Sequence, residues 1–351
     1  MPDAATPSAP PLQQALVALA NRQSLSESLA AAVFGVVMRG EASPAQIAGL
    51  LVGLRVKGET PDEVAGAARA LRAAMVHVDA DGVHLVDTCG TGGGAVGTFN
   101  ISTGAAFVAA GAGAAVAKHG NRSFTSQCGS ADVLEALGIG IGLDATGAAR
   151  VLREARVAFL FAPNFHPAMR HVGPVRRELG TPSIMNLLGP LANPAGAMRQ
   201  VVGVADRDRA PLLAAALARL GTEHALVVHG RVGMDEISPI GVTDVWEVRG
   251  DEVRPWELDP GAHHLAVNDA AALRGGDPPA NAARLRRLLE RERGDAPGLA
   301  AVLLNAGAAV YVAGLAGSYE EGIARARDAV GSGAAGEALE RLRRASPSTS
   351  G

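Results

Sequence analysis

From His84 onward, short β-forming runs alternate with helical segments, and this alternation constrains the fold more than any other feature of the chain. The runs lie at residues 85–86, 114–117, 157–161, 201–205 and 225–228, and the helical stretches between them include 132–137, 146–155 and 211–220. Strands separated by helices pair in parallel, so the pattern predicts an α/β domain with a largely parallel central sheet over residues 81–344. Residues 242–248 and 253–258 flank Gly250-Asp251 and predict an added hairpin. Ser318-Tyr319-Glu320-Glu321 is a capping box that opens a C-terminal helical stretch ending near Arg344.

The preceding segment has a different character. Ser43-Pro44-Ala45-Gln46 and Thr60-Pro61-Asp62-Glu63 each supply a hydroxyl cap, a proline at the first helical position and a side chain able to reach back to the cap amide. Leu29, Val33, Val36 and Val37 recur at helical spacing, as do Ile47, Leu50, Leu51 and Leu54. Residues 11–80 therefore predict a small domain of three or four short helices, with residues 1–10 and 345–351 as disordered tails.

Composition decides how such a chain packs and what it does not do. Hydrophobic residues are 48% of the 351, yet aromatics number only 7 Phe, 2 Tyr and 2 Trp, so the core is built from Ala, Val and Leu through close small-residue contacts. Basic and acidic residues nearly cancel, 32 against 35, without a Lys/Arg block, which argues against nucleic-acid binding. The first basic residue is Arg22, so the start does not resemble a signal peptide, and the apolar stretch 104–117 falls short of the roughly 20 residues a membrane span needs. Cys89 and Cys128 provide neither a disulfide framework nor zinc-site spacing; a reducing cytoplasm is expected.

Four segments carry candidate chemistry. Asp87-Thr88-Cys89-Gly90-Thr91-Gly92-Gly93-Gly94 follows a strand and leads through Thr98-Phe99-Asn100-Ile101-Ser102-Thr103 into a helix, an arrangement whose amides suit an anion; a plain strand-to-helix turn is the alternative. Lys118-His119-Gly120-Asn121-Arg122-Ser123 ends the next strand, where open α/β sheets place ligands, unless it is only a solvated basic turn. Ser130 offers a further helix start or a simple cap. Asp235-Glu236 suits Mg²⁺ completed by water and substrate phosphates, or is a solvated acidic turn. The run from Pro163 to Arg170 leads into Pro174 to Gly180, and a helix starting near His166 would bring two guanidiniums along one element, suited to an acidic small substrate, unless an arginine pairs with a structural acid, as is expected of Arg177; Asn186 to Pro194 has the composition of a turn.

Taken together, the Lys-His-Gly-Asn-Arg run, the His-Pro-Ala-Met-Arg to Arg-Arg-Glu-Leu-Gly run, Asn-Leu-Leu-Gly-Pro-Leu and the segment from Asn305 to Gly314 resemble the anthranilate phosphoribosyltransferases over nearly the whole chain. The resemblance implies a homodimer formed through the helical domain, to which a segment around 166–195 is joined, and an active site at the hinge with the α/β domain. It implies that Gly90, Gly93, Gly94, Thr98, Asn100, Ile101, Ser102, Thr103, Lys118, His119, Gly120, Asn121, Arg122, Ser123, Phe124, Thr125, Ser126 and Ser130 hold 5-phosphoribosyl 1-diphosphate. Gly90, His119, Asn121, His166 and Arg176 would meet anthranilate, and Ser102, Asp235 and Glu236 would bind Mg²⁺, two ions per subunit. Lys118, Asp235 and Glu236 would serve catalysis. One departure stands out: the family pattern has Asp-Gly where this chain has Gly94-Ala95. Two other readings follow from the same motifs, a pyrimidine nucleoside phosphorylase and a catalytically altered phosphoribosyl diphosphate-binding paralogue.

Overall fold

In the computed structural model, which describes residues 9–123, 127–290 and 294–348, Ser43 and Thr60 both cap helices as their motifs require. The Ser43 hydroxyl accepts from Gln46 N at 3.3 Å while Gln46 accepts from Ser43 N at 2.9 Å, and Thr60 and Glu63 repeat the exchange. Four helices result: α1 (Pro11–Ala20), α2 (Glu27–Met38), α3 (Pro44–Lys57) and α4 (Pro61–Ala74). Contacts divide the chain into two units, the first made of Met1–Met75 with His166–Ala192 and the second of Val76–Phe165 with Asn193–Gly351.

In the first unit the scarcity of aromatics is met by close approach. A Cβ on Gly66 of α4 would lie 2.4 Å from the Glu27 carbonyl and 2.8 Å from the Ala30 methyl, so α2 and α4 touch nearly backbone to backbone. Glu63 is fully buried because it is fully used, accepting from Leu25 N at 2.8 Å and from Lys57 Nζ at 2.9 Å besides its cap. The segment expected as one helix from His166 is instead a 3₁₀ turn, Pro167–His171, followed by a separate helix, Gly173–Leu179. Pro174 accounts for the break, since it has no amide to extend the preceding turn and sits only at the start of a new one. The stretch expected as a turn holds a short helix, Met185–Leu188, and a 3₁₀ turn, Gly189–Leu191.

The second unit carries a seven-stranded sheet: β1 (Leu85–Gly90), β2 (Ala115–Gly120), β3 (Val157–Phe161), β4 (Arg199–Gly203), β5 (His224–Gly230), β6 (Thr243–Arg249) and β7 (Glu252–Leu258). Their order is β3-β2-β1-β4-β5-β6-β7, parallel through β5, with the β6–β7 hairpin added antiparallel. Helices α5 (Ile101–Gly111), α6 (Ser130–Ala136) and α7 (Ala145–Ala155) bury Ala and Val faces in its core together with the long Ala296–Val312 helix. The C-terminal tail is ordered further than its composition suggests, because Gly140 N donates to the Ser346 carbonyl at 2.7 Å and Ser348 N to the Gly138 carbonyl at 3.2 Å. No helix among the described residues is long and apolar enough to cross a membrane.

Candidate active site

β1 and β4 end side by side in glycines, Gly90 opposite Gly203. The loop after β1 is pegged to its neighbours by Thr91 N on the Gly203 carbonyl at 2.8 Å, Ala205 N on the Thr91 hydroxyl at 3.2 Å and Ala95 N on the Gly233 carbonyl at 2.8 Å. Between those pegs Gly92 and Gly93 take φ of +67° and +84°, which side chains disfavour, so the turn needs glycine at both. A Cβ on Gly94 would lie 2.7 Å from Asp235 Oδ1: the acidic doublet faces the glycine loop.

Asp235 accepts from the Gly92 amide. Glu236 accepts from the Thr98 hydroxyl at 3.2 Å and from the Ser102 amide, at the positive N-terminal end of α5. Burial pushes the Glu236 carboxyl well above the usual carboxylate range and the charge of Asp235 pushes it further, against the pull of Thr98, Ser102 and Lys118. Burial also raises Asp235, opposed by its own amide and that of Gly92. Among the described residues neither carboxylate has a cation within ion-pair distance, and no third acid, His or Cys completes a protein cage.

Lys118 lies within β2, buried, where its ammonium donates to the Thr88 carbonyl and to Ser102 Oγ at 3.2 Å. Burial lowers its pKa, and Asp87, Cys89 and Glu236 counter that loss. Asp87 is its buried counter-charge: burial raises this carboxyl, while Lys118, Asn193, the His119 amide and Cys89 hold it down. Its two oxygens accept from His119 N at 3.0 Å and Asn193 Nδ2 at 2.8 Å. Burial and the neighbouring Asp87 push the Cys89 thiol up, which removes it as a nucleophile.

The remaining expected residues are placed as follows. Ile101 and Thr103 are buried in the first turn of α5. The Asn100 side chain is bound on both sides, donating to the Cys128 carbonyl at 3.1 Å and accepting from Asn281 at 3.0 Å. Asn121 Oδ1 accepts from Arg122 N at 2.8 Å. The Arg122 guanidinium is directed to Asp132 at 2.8 Å and Glu135 at 2.6 Å and lies 5.7 Å from the Phe161 ring centre. Ser130 begins α6 rather than capping it, and donates to the Asn121 carbonyl at 3.2 Å, with Gly120 close against its hydroxyl. Ser123 N and Gly129 N both donate to Asp132 Oδ2, which closes this loop. Phe124, Thr125 and Ser126 lie outside the described residues.

His166 and Arg176 belong to the helical unit. His166 is buried, and burial lowers its pKa to about 4 despite a hydrogen bond with the Ala192 backbone. Arg176 is half-buried without an acid partner among the described residues, and burial lowers its pKa. Arg177, expected to pair with an acid, is exposed and has none among the described residues.

Family models match both parts of the chain, a glycosyl transferase family helical bundle domain over residues 13–75 and a glycosyl transferase family a/b domain over residues 82–336. The anthranilate phosphoribosyltransferase of Roseiflexus castenholzii is 51% identical over 334 residues, covering 95% of this chain and 97% of that protein. The chain belongs to the anthranilate phosphoribosyltransferase family. Solved members superpose closely. The Thermus thermophilus enzyme gives a TM-score of 0.89 at 44% identity, covering 96% of this chain and 99% of its own. The Saccharomyces cerevisiae enzyme, in complex with PRPP and Mg, gives 0.87 at 28% identity, covering 96% and 98%.

Within this anthranilate phosphoribosyltransferase fold, several supporting residues escape sequence reasoning. Asp87 had a signal, a charged residue between apolar neighbours in a strand, which burial allows only when it is partnered. Asn305 had the same kind of signal, a lone amide in an apolar helix. Asn193 had none, because its partner Asp87 is set by long-range folding, whereas Asp132 had a local one, an acid three residues after Gly129, from whose amide it accepts.

Proposed function

We propose that this chain transfers the phosphoribosyl group of 5-phosphoribosyl 1-diphosphate to the amine of anthranilate, giving N-(5-phosphoribosyl)anthranilate and pyrophosphate, the second step of tryptophan biosynthesis from chorismate. The observation that carries it is the convergence of the glycine loop, Lys118 and the Asp235-Glu236 pair at the carboxyl ends of β1, β2 and β4, in a chain half identical to enzymes of that name.

The bond from C1′ of the ribose to the pyrophosphate oxygen breaks as the amine nitrogen bonds to C1′. The nitrogen then releases a proton to solvent. An aromatic amine is uncharged near neutrality, so its lone pair needs no strong base and catalysis rests on positioning. Negative charge grows on the departing pyrophosphate, where loop amides and the Lys118 ammonium stabilise it. The acceptor's carboxylate is assigned to Arg176, whose planar guanidinium is partly desolvated without an acid among the described residues to offset the cost. His119 and His166 are assigned to the acceptor's surroundings, with Gly90 and Asn121.

The donor set fits Mg²⁺. Two half-buried adjacent carboxylates with no cation within ion-pair distance among the described residues, and the Ser102 hydroxyl nearby, match an ion that takes one or two protein carboxylates and completes its shell with water and phosphate. Asp235, Glu236 and Ser102 would hold it, two ions per subunit with substrate, and it would supply charge neutralisation for the pyrophosphate.

The same reading includes a cytoplasmic homodimer joined through the helical unit. There α1 and α3 leave Val17 and Val56 exposed, at 58% and 74%, and Val17 lines a mainly apolar cleft of about 530 Å³ together with Leu12, Leu16 and Val36. Gln13, Glu41 and Gln46 also line that cleft, and the residues that line it include none of the candidate active-site residues.

Loss of anthranilate fluorescence on adding 5-phosphoribosyl 1-diphosphate and Mg²⁺ tests the activity. Binding without turnover would support the altered paralogue suggested by Gly94 instead, and phosphorolysis of thymidine or uridine would support the phosphorylase reading, which the family relationship does not favour.

A further inference from the structure

The Ala296–Val312 helix is apolar or small from Gly298 to Val310 with one exception, Asn305. An amide buried at 4% exposure in such a helix persists only if its hydrogen-bonding groups are used. Asn305 Oδ1 accepts from Ile237 N at 3.0 Å, and its Nδ2 donates to the Ile237 carbonyl at 2.9 Å and to the Ala301 carbonyl at 2.9 Å. The side chain thus exchanges both bonds with one backbone residue, as a neighbouring strand would. Ile237 is fully buried and directly follows Glu236.

We infer that Asn305 is a positioning residue that holds the Asp235-Glu236 pair in the site by gripping the backbone immediately after it. Two adjacent half-buried carboxylates repel one another and gain hydration by swinging outward. The loop is restrained upstream by the Ala95 amide on the Gly233 carbonyl and laterally by Thr98 on Glu236. Downstream, the restraint nearest the doublet is Asn305, with Ser238 N on the Thr243 hydroxyl at 3.0 Å beyond it. Without the amide, the paired backbone groups of Ile237 are left buried and unmet, and relief comes by moving the segment that bears both acids.

The inference rests on the proposed metal role of the doublet, and the experiment separates the two. Asn305→Ala and the milder Asn305→Ser are compared with Glu236→Gln in the full-length enzyme. Kinetics are read together with Mn²⁺ binding in the presence of pyrophosphate, followed by electron paramagnetic resonance. Support-shell losses in metal sites run to about 10–100-fold in affinity or activity, and that range is expected here for Asn305→Ala in kcat and in Mn²⁺ affinity, with Asn305→Ser intermediate and the KM for anthranilate within about twofold. Asn305→Asp, which turns an oxygen toward the Ile237 and Ala301 carbonyls, should be worse than alanine. Variants that lose thermal stability yet keep wild-type Mn²⁺ affinity and kcat would overturn the inference. If Glu236→Gln also leaves Mn²⁺ binding unchanged, the metal reading falls and takes the inference with it; if only Glu236→Gln weakens binding, the inference alone fails.

Discussion

The Asp235 carbonyl oxygen lies 1.6 Å from the point where a Cβ on Gly203 would stand. The acidic loop therefore crosses the end of β4 on bare backbone, and any side chain at 203 must push Asp235 and Glu236 away from the glycine loop. Gly203→Ala is expected to cost about 3 kcal/mol of stability by overpacking and to lower kcat/KM about 100-fold or more. Gly90→Ala, whose Cβ would meet the Gly203 carbonyl at 3.0 Å and Asp235 O only at 3.6 Å, should be the milder of the two. Melting curves and steady-state kinetics of the pair check this; a Gly203→Ala enzyme with wild-type kcat would contradict it.

On the proposed metal role of Glu236, function and stability oppose each other at this residue. Its carboxyl titrates well above the ordinary 4.5 because it is buried and faces Asp235. In the folded chain it thus resists losing its proton, and stability declines as pH rises from 4.5 toward the folded value. Glu236→Gln removes that penalty. The variant should gain about 1 kcal/mol at pH 8, a Tm rise of roughly 2–4 °C, with the gain shrinking toward pH 4.5, while losing activity. Differential scanning calorimetry at the two pH values measures the gain directly.

How much of this was legible in the sequence follows from the range of each interaction. β3 lies where its apolar run predicts, at Val157–Phe161, and the capping boxes at Ser43 and Thr60 and the β6–β7 hairpin form where local chemistry places them. At Ser318 only the hydroxyl half of the expected box forms, because Glu321 accepts from Gly317 N instead. β1 and β2 run further than their apolar cores suggest, because Asp87, Lys118 and His119 are strand residues whose polar groups find partners inside. A charged residue in a strand looks like an end until its partner is known. The facing of Asp235 and Gly94 was motivated in the sequence only by motif order, since about 140 residues separate them. The attachment of Asn193 to Asp87 is fixed by tertiary packing and leaves no local trace, while the lone amide of Asn305 in its apolar helix signals a buried partner without identifying Ile237.

Arg176 should divide binding from chemistry. A guanidinium to carboxylate contact contributes about 1.5–3 kcal/mol, so Arg176→Ala should raise the KM for anthranilate roughly 10–100-fold and leave kcat within about threefold. Arg176→Lys should recover only part of the loss, because an ammonium lacks the two-pronged geometry. A rise confined to the KM for 5-phosphoribosyl 1-diphosphate would move Arg176 to the other substrate.

His166 gives the helical unit an acid sensitivity of calculable size. Burial lowers its pKa from 6.5 to about 4, so between these values the unfolded chain takes up a proton that the folded chain refuses. The stability this contributes is complete above pH 6.5 and is lost as pH falls through 6.5 toward 4. The shift corresponds to about 3 kcal/mol at the acid limit and about 2 kcal/mol already at pH 5. His166→Asn cannot take up that proton. Its unfolding free energy should therefore fall about 2 kcal/mol less than the wild type's between pH 7 and pH 5, even though the variant starts lower at pH 7 from lost packing. Urea titrations of both proteins at the two pH values give the four numbers needed. Parallel losses would mean that His166 takes up its proton at an ordinary pH in the folded chain, and that burial does not hold it neutral.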